Sequence, residues 1–185
     1  MARLPDIDVD RLTPEQRQVH DAIVAGPRGK VEGPLRVWLT SPALAARAQE
    51  LGAFCRYHTS LPPRLSELAI LVTAAHWRAG FEWYAHEKFA REAGLSGTVI
   101  AAIKAGAEPR FANEDEGAVH AFARELLQSR RVSGATYARA TAALGPVGVV
   151  ELVGILGYYG LISMTINAFE VLVPDGAAAP FGGEE

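Results

Sequence analysis

Three ionisable side chains, Glu67, Glu82 and His86, stand at positions where charge is rarely left without a partner or a task. Glu67 interrupts an apolar run, Leu65 to Trp77, that is hydrophobic almost all round and therefore predicts a buried helix. After a break near Ala79-Gly80 a second helix is predicted from Phe81 to Ala93, with Gly94 as a left-handed cap. At helical spacing Glu82, Ala85, His86, Phe89 and Ala93 form one stripe, while Tyr84, Glu87, Lys88, Arg91 and Glu92 take the other faces. Glu82 and His86 thus share the inward face. A short connection implies antiparallel packing, which would bring Glu67 to the same place. A carboxylate that orients an imidazole, with a second acid nearby, is a proton-transfer set. The plainer alternative is a helix-surface pair, Glu82 with His86, and a satisfied core acid at Glu67.

The residues E-L-A-I-L from Glu67, followed by E-W-x-x-H-x-x-x-A-x-x-x-G from Glu82, resemble the carboxymuconolactone decarboxylase superfamily, which includes the alkylhydroperoxidase D-like proteins. Its peroxidase branch carries a glutamate, a C-x-x-C pair and a histidine four residues after the second cysteine. Glu67 and His86 match that glutamate and histidine, while Ala79 and Glu82 occupy the two thiol positions. Peroxiredoxin activity through a disulfide cycle therefore does not carry over. Looser likeness extends to Pro27-Arg28-Gly29, Ser41-Pro42, Ser60-Leu61-Pro62 and the last apolar helix.

The resemblance implies an all-α bundle of the alkylhydroperoxidase D-like type, assembled as a homo-oligomer, a trimer or hexamer. It also implies a cofactor-free lyase acting on a small organic acid or lactone. His86 would protonate the carbanion left by decarboxylation, held by Glu82 or Glu67, with Arg28 or Arg56 holding the carboxylate. Trp83 and Tyr158 are the further candidate substrate contacts. Two other classes stay open: an antioxidant protein of the peroxidase branch that has lost its thiols, and a non-catalytic oligomeric binding module.

Composition narrows the rest. The 185 residues are 49% hydrophobic and 21% charged, ordinary for one soluble domain with an N-terminal arm (1–12) and a flexible tail (174–185). A net charge of −3 without a Lys/Arg cluster gives no sign of a nucleic-acid partner. The single cysteine, Cys55, permits no internal disulfide, fits a reducing cytoplasmic setting and reads as a buried small hydrophobe. The start of the chain lacks the basic-then-apolar order of a secretory signal. No zinc-type spacing links His58, His76 or His86, so no metal site is expected.

Capping signals set the remaining helices. Thr13-Pro14-Glu15-Gln16 predicts a capping box and a helix ending at Gly26-Pro27, followed by a loop, GPRGKVEGPLRVWLT. Ser41-Pro42 opens a helix over Ala43 to Phe54, with Leu44, Ala48 and Leu51 inward. Ser96 caps a short helix to Ile103, and Asn113 caps one running to about Gln128. Ser133 caps another that stops at Gly145, before a last helix from Pro146 to about Val171. The uncharged span Leu152 to Phe169 just reaches membrane-crossing length. Its glycines, Ser163, Thr165 and Asn167, and the lack of basic flanks, favour burial in an oligomer over a membrane.

Overall fold

A computed structural model describes residues 3–174 and 176–182; the extreme ends of the expected arm and tail, and Asp175, lie outside the described residues. Among the described residues the chain is all-α, with eight α-helices and no strand. They are α1 (Pro14–Ala25), α2 (Pro34–Trp38), α3 (Pro42–Tyr57), α4 (Pro63–Trp77), α5 (Gly80–Glu92), α6 (Gly97–Lys104), α7 (Glu114–Ser129) and α8 (Gly134–Phe169).

Helix α4 is the axis. It is buried without interruption from Leu65 to Ala74, as its all-round apolar sequence requires, and packs against α5, α6, α7 and α8. It ends where Arg78 enters the left-handed region, and the chain turns at once into α5. Helix α8 is broken at Gly145, whose φ of 70° and ψ of 171° with Pro146 following separate the two expected segments. Thr13 forms the expected capping box: its hydroxyl accepts from Gln16 N, and its own N–H donates to Gln16 Oε1 at 2.9 Å.

Four expectations are corrected. The segment read as one loop contains α2, seated by Trp38, which is buried and donates its indole N–H to Thr165 at 2.9 Å. On α3 the inward face is Ala45, Ala48, Gly52 and Cys55, whereas Leu44 and Leu51 are exposed. The small face lets α3 approach α8 closely: a Cβ on Gly52 would stand 2.1 Å from the Tyr158 hydroxyl. Asn113 holds the expected N-cap position of α7, but without the side-chain capping bond; its amide donates to Glu116 at 3.1 Å instead. In the tail, Phe181 docks edge-on against Trp83, with ring centres 5.4 Å apart.

The described part of the N-terminal arm is tied down as well. Arg36 grips Asp6 through two hydrogen bonds of 2.6 and 2.9 Å, and Arg3 N donates to Phe169 O at 3.1 Å. The arm therefore lies beside the end of α8.

Candidate functional site

The hairpin of α4 and α5 brings Glu67, Glu82 and His86 together. Glu82 lies one turn before His86 on α5, and Glu67 reaches across from α4. The imidazole is held at both nitrogens: Nδ1 is 2.7 Å from Glu67 Oε2, and Nε2 is 3.0 Å from Glu82 Oε1. All three side chains are buried. Burial alone would push the imidazole down, but the facing carboxylates outweigh it and hold His86 up at about 9. At neutral pH the centre is an imidazolium clamped between two carboxylates, both of its N–H groups donating.

Aromatic rings close the sides of the clamp. Tyr159 stands edge-on to His86 with ring centres 5.1 Å apart, and Phe89 at 6.1 Å. The Tyr159 hydroxyl is buried without a hydrogen-bond partner, and burial raises its pKa well above the ordinary phenol value.

An open cleft of about 1700 Å³ lies outside the clamp. Glu67 lines it; His86 and Glu82 do not. The member of the clamp in contact with the cleft is therefore Glu67, at 7% exposure, and His86 is reached through it.

Arg28 and Arg56 both line the cleft. Arg28 donates to the Tyr158 hydroxyl at 3.2 Å, while its Nε is buried with no acceptor. The Arg56 guanidinium sits 4.7 Å from the centre of the Phe89 ring and 5.2 Å from that of Tyr57. Neither arginine is in an ion pair among the described residues, although Arg36, Lys30 and Lys88 in the same cleft pair with Asp6, Glu32 and Glu92. Two half-buried cations thus face the cleft without an ion-pair partner among the described residues.

The other two candidates are placed differently. Tyr158 stands behind Arg28, and burial pushes its phenol up to about 12 against the pull of the Arg28 charge. It orients the arginine and does not line the cleft. Trp83 is wholly buried on the inward face of α5, donating to Glu87 at 2.7 Å and covered by Phe181. It is a core residue that shares the buried face of α5 with Glu82, His86 and Ala90 and does not line the cleft. Sequence reading missed Phe89 and Tyr57 as walls beside Arg56; the signal was Phe89 on the same α5 stripe as His86.

No protein-family model and no curated relative matches this sequence. Solved structures do. An uncharacterised peroxidase-related protein with an alkylhydroperoxidase AhpD core, from Ralstonia eutropha JMP134, superimposes with a TM-score of 0.77 at 14% identity, over 97% of this chain and 94% of that one. The debrominase Bmp8 without ligand gives a TM-score of 0.73 at 15% identity, over 95% of this chain and 92% of that one. A cysteine-to-alanine variant of the same debrominase, in complex with 2,3,4-tribromopyrrole, gives 0.68 at 17% identity, over 97% and 92%. The fold of this chain is thus the AhpD-like all-α fold, a fold on which different activities are built.

Proposed function

We propose that this chain is a cofactor-free lyase of the carboxymuconolactone decarboxylase kind, working by proton transfer on an organic acid or lactone. The observation that carries the reading is the position of Glu67. It touches His86 on one side and, on the other, the cleft where Arg28 and Arg56 stand without an ion-pair partner among the described residues. A substrate carboxylate held by those guanidiniums would lie beside the one group of the clamp that can exchange protons with it.

The step balances simply. Loss of carbon dioxide from a substrate with a ketone or lactone carbonyl beta to its carboxylate leaves the electron pair of the broken C–C bond delocalised as an enolate. The Nδ1 proton of His86 passes to Glu67 and from Glu67 to that carbon, leaving a neutral imidazole that solvent reprotonates. The charge of Glu82 on Nε2 keeps the ring oriented throughout. A thiol peroxidase is not proposed, because Ala79 and Glu82 stand at the thiol positions and Cys55 is buried on α3.

One observation favours the binding-module reading: the clamp is saturated, each ring nitrogen already engaged by a carboxylate. The test is deuterium incorporation. Candidate acids and lactones are incubated in D₂O and followed by proton NMR for exchange at, or decarboxylation to, the carbon next to the carboxylate. Turnover by wild type that Glu67→Gln abolishes supports the lyase. Binding with neither exchange nor decarboxylation, in both proteins alike, selects the binding module.

We also infer a homo-oligomer. The outer face of α8 carries Val147, Val150, Gly157 and Met164, all exposed, with Val150 at 71%. Beside it α3 exposes Leu44, Leu51 and Phe54. So much apolar surface on adjoining helices fits a subunit contact. The lone buried thiol is the ground for placing the protein in the reducing cytoplasm.

A further inference from the structure

The open cleft is larger than a small acid alone would fill. Small-molecule sites enclose roughly 300–1,000 Å³, and this one holds about 1700 Å³. Its charged groups fall into two sets. Arg36 with Asp6, Lys30 with Glu32 and Lys88 with Glu92 neutralise one another. What remains is the Glu67–His86–Glu82 clamp, with one surplus negative formal charge, opposite Arg28 and Arg56 with two positive ones. One positive charge is left over, and a monoanion neutralises it.

The uncompensated charge is confined to one end. Arg28 is fixed there by Tyr158 on α8, and Phe169, at the last turn of the same helix, lines the other end. Those two positions are about 16 Å apart at the usual helical rise. Beside Phe169 the two terminal segments that Arg3 ties together supply Leu4, Ile7, Val171 and Leu172, next to the mutually neutralised Arg36–Asp6 pair. A charged head site and an apolar channel share one cleft.

We propose that the cleft binds an amphiphilic monocarboxylate, its head between Arg28 and Arg56 beside Glu67 and its apolar tail running along α8 toward Phe169 and Leu172. The proposal deepens the reading of this cleft as the substrate site, and it is tested by binding, which does not depend on turnover. The full-length protein is titrated calorimetrically with hexanoate, octanoate and decanoate, and with 1-decanol as the uncharged control. Affinity rises about two- to fourfold per added methylene, at a stoichiometry of one per chain. Decanol binds at least about tenfold more weakly than decanoate, and Arg28→Gln and Arg56→Gln each weaken decanoate by about tenfold or more, as loss of a charged hydrogen bond predicts. Circular dichroism of both variants shows that they remain folded; Arg56, which carries no hydrogen bond among the described residues, is the variant least coupled to the fold.

Affinity independent of chain length, equal binding of decanol, or indifference to both arginine variants overturns the proposal. So does a concentration-dependent dimer that Arg56→Gln dissolves and decanoate does not displace, since a second copy then fills the cleft. Decanoate bound as described, with no candidate acid or lactone turned over in the D₂O assay, leaves the proposal standing and removes the lyase reading. Short acids turned over without any gain from length do the reverse.

Discussion

The clamp makes a prediction about stability that needs no substrate. An imidazole ordinarily titrates near 6.5, and the two carboxylates hold His86 at about 9. A group whose folded pKa is raised stabilises the fold fully below the unfolded value, and loses that contribution as pH rises through the folded one. The window is therefore pH 6.5 to a little above 9. At about 1.4 kcal/mol per pH unit the contribution is on the order of 3 kcal/mol. For a chain of this size that corresponds to roughly 6–12 °C in melting temperature. Thermal unfolding in constant ionic strength at half-unit steps from pH 6 to pH 9.5 measures it. Wild type falls across that window. His86→Gln starts lower, by about 3–5 kcal/mol at neutral pH, because two buried carboxylates lose their cation. It then lacks the alkaline fall. Glu82→Gln keeps one partner and moves the fall to lower pH. A flat wild-type curve, or the same alkaline slope in His86→Gln, would falsify the clamp as an ion triad.

Four further outcomes follow from the same geometry. Gly52→Ala forces a Cβ to within 2.1 Å of the Tyr158 hydroxyl and 2.6 Å of Arg28 Nη2, so it should cost about 1–3 kcal/mol of stability in chemical denaturation and weaken anion binding together. Phe181→Ala should expose Trp83, seen as a red-shifted tryptophan emission, while leaving carboxylate binding within about twofold, since Trp83 does not line the cleft. Thiol-dependent reduction of an organic peroxide should be absent in wild type and unchanged in Cys55→Ser, measured by coupled NADPH consumption. Val150→Glu should dissociate the proposed homo-oligomer in light scattering, because it places a charge among the exposed apolar side chains of α8.

The α4–α5 hairpin was legible because its two signals are local: an all-apolar run around Glu67, and a helical stripe carrying Glu82 and His86. Caps placed most boundaries for the same reason, since a cap is decided within a few residues. What escaped was decided by distant partners. Helix α2 has glycine and proline where a loop has them, and is held by the bond from Trp38 to Thr165, 127 positions away. On α3 the larger side chains Leu44 and Leu51 looked inward by size, yet the closest approach to α8 runs through Gly52 and the alanines. Phe181 lies in a glycine- and alanine-rich tail whose composition hides a docked ring. Whether Arg28 and Arg56 meet at one cleft depended on how three elements pack, which periodicity does not encode.

Glutamate at position 82 decides what kind of proton chemistry the centre can do. With Glu67 alone, the imidazole would have one free nitrogen and could take a proton from substrate as a neutral base. With Glu82 on Nε2, both nitrogens are donors and the ring holds its proton up to about pH 9. The centre is therefore a donor poised for a strongly basic acceptor, and a carbanion is such an acceptor where an alcohol or thiol is not. Under the proposed function the proton leaves through Glu67, since Tyr159 and Phe89 flank the ring and Glu67 is the clamp residue that lines the cleft. The pH profile of turnover should consequently fall on the alkaline side as His86 loses its proton, and Glu82→Gln should move that limb to lower pH while lowering the maximum rate. A merely structural Glu82 would lower the maximum rate and leave the limb where it was.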